Sequence, residues 1–185
     1  RSFLDGGYYA PIAQAVREAA LEFCPHAQTI LDVGCGEGYY SAQVAAGFPG
    51  ATLYGLDISK DAVRLASGKY KGGHWLCGTA AKLPFDGGFD LLLSLFALTI
   101  PQEFRRVLTD HGIFIQVLAA EDHLLGLKEV IYPELLFKEK DSVPDLPGFR
   151  RIASRSLRFS FAVVGEQIGH LLSMTPHFWR IGKDG

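Results

Sequence analysis

The sequence predicts an α/β fold of the Rossmann-like, doubly wound kind, a mostly parallel sheet with helices on both faces. Three observations carry this. Short apolar runs alternate with segments of helical period, the pattern of repeated βαβ units. The first apolar run, Thr29-Ile-Leu-Asp-Val33, passes straight into a glycine-rich turn, and the second closes on an acidic residue, Asp57. The chain has 185 residues, room for one domain of roughly 100–200 residues. We read 1–185 as a single domain: a lead-in and helix over 1–28, a core over 29–118, and further elements over 119–185.

Each element has its own signal. Over 11–23, Ile12, Val16, Ala19, Ala20 and Phe23 share one face of an amphipathic helix. Residues 29–33 make a short buried strand, followed by a helix over 39–46 and a second strand over 51–56. Ser59 is the N-cap of a helix over 60–70 that carries Val63, Ala66 and Tyr70 on one face. A third strand spans 74–77 and a fourth 89–95. Pro101 fits the first turn of a helix bearing Phe104, Val107 and Leu108. A fifth strand covers 112–118, a helix 124–132, and a charged, proline-containing loop 138–148. The period-two alternation of 156–161 suits a strand near the sheet edge, and 165–174 makes a last helix.

Composition sets limits on function. With 48% hydrophobic and 21% charged residues the chain is globular rather than disordered. No apolar run approaches about 18 residues, so no membrane span is expected. Residues 1–11, RSFLDGGYYAP, lack the apolar core of a secretory signal, and a cytoplasmic location is expected. Cys24, Cys35 and Cys77 have no CxxC spacing, and the six histidines are scattered without ligand spacing, so no metal site is expected. The net charge of −2 is unusual for a nucleic-acid binder. It hides an asymmetry: 12 Lys/Arg stand against 18 Asp/Glu over 1–149, but six against two over 150–185. The basic end is either an electropositive surface or a set of solvated edge-strand charges.

In a doubly wound sheet, ligands bind outside the carboxyl ends of the strands near the point where strand order reverses. After the first strand the chain reads Asp32-Val-Gly34-Cys-Gly36-Glu-Gly38. Three glycines at alternate positions let backbone turn tightly and approach a ligand closely, and the helix that follows offers free N–H groups to a negative group. The spacing is GxGxG, not the GxGxxG of dinucleotide enzymes. Asp57, 19 residues beyond Gly38, is placed to bind two ribose hydroxyls. The third strand runs into Gly78-Thr79-Ala80-Ala-Lys-Leu83-Pro-Phe85.

This set resembles the class I S-adenosylmethionine-dependent methyltransferases over roughly 29–118. The resemblance implies S-adenosylmethionine as cofactor and assigns roles. Asp32 and the loop of Gly34, Gly36 and Gly38 would hold its methionine portion, Asp57 the ribose, and Ile58 would pack on the adenine. Thr79 and Ala80 stand where many members place an aspartate and its neighbour against the adenine amino group. Phe96 would flank the transferred methyl, or is an ordinary core aromatic. Phe3, Tyr8 and Tyr9 have two readings as well. Tyr9 would close over the cofactor while Phe3 and Tyr8 stack on an extruded base, or the three form a hydrophobic staple for the first helix. His123 is a substrate-side candidate.

A narrower resemblance spans nearly the whole chain. Phe3-Leu-Asp-Gly-Gly-Tyr8-Tyr9-Ala-Pro11, Gly55-Leu-Asp-Ile-Ser-Lys60, Phe96-Ala97, His123-Leu-Leu-Gly-Leu-Lys128 with Ile131-Tyr132, and Met174-Thr-Pro176 with Trp179-Arg180 are similar to segments of the bacterial 23S ribosomal RNA guanine-N1 methyltransferases. Leu98 departs from the proline usual after that Phe-Ala pair. The resemblance implies ribosomal RNA as partner. The family's cysteine-ligated zinc module has no counterpart here, so RNA contact by this chain alone should be weak, as for the methyltransferase portion of something longer. Guanine N1 carries a proton at neutral pH, so a base or an exit to water is needed; Asp5, Glu103, Glu121 and Asp122 are the candidates. Cys35 is expected to pack rather than react. A small-molecule methyltransferase and a non-catalytic S-adenosylmethionine- or RNA-binding module remain alternatives.

Overall fold

Alternation of side chains along five strands divides the molecule into two apolar layers. The structure, a computed structural model, describes residues 9–118, 124–127, 131–133, 145–155 and 157. Strands β1 (Thr29–Val33), β2 (Thr52–Asp57), β3 (Gly73–Cys77), β4 (Phe89–Leu95) and β5 (Leu108–Val117) form one sheet in the order β3-β2-β1-β4-β5. Every pairing in it is parallel. Order reverses between β1 and β4, so the crevice at their carboxyl ends is the place for a ligand.

Helix α1 (Ala10–Phe23) buries Ile12, Ala13, Val16 and Ala20, with Pro11 in its first turn. Together with Val44 of α2 (Tyr39–Ala45), it covers Ile30, Leu53, Leu91, Leu93 and Leu95 on one face of the sheet. On the other face Phe104 and Val107 of α4 (Pro101–Val107) pack against Leu31, Val33, Leu56 and Leu92. Helix α3 (Lys60–Lys69) is capped by the Ser59 hydroxyl, which accepts from Ala62 N at 3.2 Å. The doubly wound sheet expected from the sequence is present, helices on both faces included.

Two expectations are corrected. The helix after Pro101 ends at Val107, because Leu108 pairs with Phe89 and joins the second core layer as the start of β5. The register then jumps to Leu91–Ile113, so residues 109–112 bulge out of the ladder. Where a helix was expected over 124–132, the described residues are strands. Strands β6 (Leu124–Leu127) and β7 (Ile131–Pro133) pair antiparallel there. Gly126 and Pro133 disfavour helix, and Ile131 and Tyr132 favour extended chain. The strand and helix expected over 156–161 and 165–174 lie outside the described residues, Leu157 apart.

Candidate active site

The loop after β1 is shaped by its glycines. Gly34, Gly36 and Gly38 have φ of +79°, +56° and +84°, conformations that side chains disfavour. A Cβ on Gly34 would collide with Ala97 beyond β4, and one on Gly38 would lie 2.8 Å from the Trp75 ring. One on Gly36 would meet nothing within 4 Å. The Trp75 indole lies against Gly38, Gly55 and Gly73 together, with its Nε1 donating to Tyr70 O at 2.8 Å. One aromatic plate thus supports the loop from β3. Gly34 N and Cys35 N both donate to Leu56 O, at 2.8 and 3.0 Å, which ties the loop to the end of β2.

Asp57 sits there. Its Oδ2 accepts from Gly36 N and its Oδ1 from Ser59 N, both at 2.8 Å. The carboxylate therefore joins the glycine loop to the start of α3, and each oxygen keeps a lone pair for a ligand. Beside it, Ile58 is 77% exposed, a large apolar side chain in open solvent. Gly78 N returns to Asp57 O at 2.9 Å, which brings Thr79 and Ala80 alongside. The Thr79 hydroxyl accepts from Ala81 N at 3.2 Å.

Asp32 is 2% exposed. One of its oxygens accepts from the Ser41 hydroxyl of α2, while Oδ1 is buried with no partner. Burial lifts its carboxyl to about 7; the Ser41 bond opposes this and the nearby Asp57 charge adds to it. The Cys35 thiol is pushed up by burial and by the charges of Asp32 and Asp57, so it stays protonated and packs, as expected. Tyr9 is buried in the first core layer, its hydroxyl raised to about 12 by burial. Tyr40 is raised by burial, then by Tyr9, so the two phenols are neighbours. Phe3, Tyr8 and His123 lie outside the described residues.

Phe96 closes the other side of the crevice. Its φ of +54° makes it the one non-glycine residue with positive φ among the described residues. Its N–H donates to Val117 O at 3.0 Å, its ring stands 6.3 Å from that of Tyr40, and it is 43% exposed. A bulky side chain held in that region stores roughly 1–3 kcal/mol. The residue is not an ordinary core aromatic. We expect Phe96→Gly to leave thermal stability unchanged or raise it by about 1 kcal/mol, while methyl-transfer turnover falls. A large loss of melting temperature instead would return Phe96 to the core.

Some residues of the site were not expected from sequence. Ser41, Trp75 and Tyr40 hold the crevice, and Arg106, together with the candidate base Glu103, grips the 83–85 turn. Glu103 Oε2 accepts from Leu83 N at 2.7 Å, and Arg106 donates to Phe85 O at 2.7 Å and Leu83 O at 2.9 Å. An i, i+3 acid–base pair on a short helix was the available signal. Glu103 is thereby spent as a candidate base, since both its oxygens are bonded to Arg106. Asp5, Glu121 and Asp122 lie outside the described residues. A separate groove of about 660 Å³ follows the outer side of β5, between α1 and residues 145–157. Its lining includes none of the glycine-loop residues, nor Asp32 or Asp57.

Fold and site together define a class I S-adenosylmethionine-dependent methyltransferase. Residues 30–112 match the family described as a methyltransferase domain. YxjB of Bacillus subtilis (strain 168), named provisionally as a 23S rRNA (guanine-N1)-methyltransferase, is 32% identical over the whole chain and 70% of its own length. The 23S rRNA (guanine(748)-N1)-methyltransferase of Streptomyces fradiae is 30% identical over 99% of this chain and 68% of its own. Among solved structures, the plantazolicin methyltransferase BpumL, crystallised with a desmethylPZN analogue and SAH, shares the fold. It has a TM-score of 0.55 and 19% identity over 65% of this chain and 52% of its own. The chain belongs to the family of bacterial 23S rRNA (guanine-N1)-methyltransferases.

The residues present fit the cofactor on three counts. Asp32 offers a buried, unpartnered oxygen to a ligand that carries an ammonium and a sulfonium. The centre of the glycine loop is bare, with open space where a Gly36 side chain would stand. Ile58 and Phe96 present exposed apolar surface at the strand ends, matched to a purine and a methyl group.

Proposed function

We propose that this chain transfers a methyl group from S-adenosylmethionine to N1 of a guanine in 23S ribosomal RNA. One observation carries the substrate: likeness to the two rRNA methyltransferases extends over essentially the entire chain, well beyond the methyltransferase-domain match of 30–112. Elements outside the cofactor core are thus shared with proteins named for that substrate.

The cofactor supplies an electrophilic methyl on a cationic sulfur. The chain's part is to bind, align and exclude water, holding donor and acceptor atoms about 3–3.5 Å apart. The backbone of Gly34, Gly36 and Gly38 would hold the methionine portion, with Asp32 beside its ammonium. Asp57 would accept from the ribose hydroxyls through the lone pairs that Gly36 and Ser59 leave free. Ile58 would cover one face of the adenine, and Thr79 and Ala80 would meet its edge. Phe96 would flank the methyl, backed by Tyr40, while Tyr9 would support that wall from the core.

The acceptor side is apolar where described: Leu98 is 69% exposed just beyond Phe96. Two of the described basic residues over 150–185 carry ion pairs. Arg151 pairs with Asp145 at 3.3 Å, and Arg155 pairs with Glu22 and lies 5.4 Å over the Phe23 ring. These two charges are partly neutralised.

Unmodified 23S rRNA incubated with the protein and S-adenosylmethionine tests the reading. A methyl on N1 blocks the pairing edge of guanine, so reverse transcription should stop at one guanine, and digestion should release N1-methylguanosine. Methyl incorporation at another atom or base, or none into RNA while the cofactor binds, would refute the substrate.

A further inference from the structure

We propose that Arg106 is a positioning residue for recognition of the cofactor's adenine, acting through the backbone of residues 79–85. The inference rests on the placement of the adenine edge against Thr79 and Ala80.

Ala80 packs against the second core layer, but the turn's own hydrogen bonds hold it weakly. Its internal bonds are long, Ala81 N to Thr79 Oγ1 at 3.2 Å and Lys82 N to Thr79 O at 3.3 Å. Thr79, Ala81 and Lys82 are exposed. The hydrogen bonds that tie the turn to the rest of the fold are at its ends. One end hangs from Asp57, whose carbonyl accepts from Gly78 N at 2.9 Å. The other is gripped by α4: Arg106 Nη2 donates to Leu83 O at 2.9 Å, Nη1 to Phe85 O at 2.7 Å, and Leu83 N donates to Glu103 Oε2 at 2.7 Å.

The grip is itself locked. Arg106 Nε and Nη2 each donate to Glu103 at 2.8 Å, a bidentate pair that orients the fork so its remaining edges reach both carbonyls. Bonds from Arg106 and from Leu83 N hold the Glu103 carboxyl down to about 2, so the pair is ionised throughout the working range. A lysine has the charge but not the planar fork, and cannot serve Leu83 O, Phe85 O and both carboxylate oxygens at once. The apolar anchors of the turn, Ala80, Leu83 and Phe85 against the second core layer, do not depend on Arg106. The fold should thus survive its loss while the turn shifts, and with it the contact to the adenine edge.

Calorimetric titration of S-adenosylhomocysteine, and of its purine analogue lacking the 6-amino group, provides the test. Wild type should favour the amino-bearing ligand by about tenfold, the worth of one hydrogen bond. In Arg106→Lys the two ligands should bind within about threefold of each other, with melting temperature nearly unchanged. Glu103→Gln, which frees the fork but keeps an acceptor for Leu83 N, should show the same loss and serves if Arg106→Lys fails to fold. A variant that keeps the wild-type ratio, even with weaker binding of both ligands, overturns the positioning role. Equal binding of the two ligands by wild type overturns instead the adenine placement beneath it.

Discussion

Replacing Asp57 by alanine should weaken S-adenosylmethionine binding about 100-fold. The proposed contacts are two ribose hydroxyls donating to one ionised carboxylate, and charge-assisted bonds of this kind contribute roughly 1.5–3 kcal/mol each. A combined loss near 3 kcal/mol corresponds to that factor. The same carboxylate holds Gly36 N and Ser59 N at 2.8 Å, so the alanine variant also releases the glycine loop from α3 before any ligand arrives. Asparagine is no remedy, because its amide must turn an N–H toward one of those two backbone donors; Asp57→Asn should bind nearly as weakly. Isothermal titration of both variants measures this directly. An affinity within threefold of wild type in Asp57→Ala removes the ribose assignment.

What the sequence made legible was local in origin. β1 could be bounded because its apolar run ends at glycine, and α3 because Ser59 caps it. Asp57 was legible because a strand-ending acid after a GxGxG loop has few other uses. What stayed hidden depends on partners far along the chain. Phe96 takes its positive φ where its N–H reaches Val117 of the adjacent strand, and nothing in Ser-Leu-Phe-Ala announces that. Arg106 reaches 21 and 23 residues back to Phe85 and Leu83, while its sequence neighbours suggest only a solvated helix face. Leu108 reads as the last apolar position of a helix, yet pairing with Phe89 claims it for the sheet. Trp75 is invisible as a support until three glycines from different elements are seen against one ring.

Asp32 should make cofactor binding release a proton. An unfolded aspartate ionises near 3.9, whereas burial raises Asp32 to about 7 in the fold, against the Ser41 bond and with help from the Asp57 charge. Between those two values the folded chain holds a proton that the unfolded chain has lost, so stability of the free protein should fall as pH rises from about 4 to 7. The width of that pH window sets an upper bound of about 4 kcal/mol on the fall. A cation placed beside the unpartnered Oδ1 favours the ionised form. Binding S-adenosylmethionine at about pH 6 should therefore expel close to one proton, and affinity should rise with pH up to about 7. Binding heats measured in buffers of different ionisation enthalpy count the proton, and the release should shrink as pH rises from about 6 to 7. In Asp32→Asn, which cannot ionise, the stability slope, the proton and the pH dependence of affinity should disappear together. Wild-type heats independent of buffer at pH 6 would mean that the cofactor's cation does not lie against Asp32.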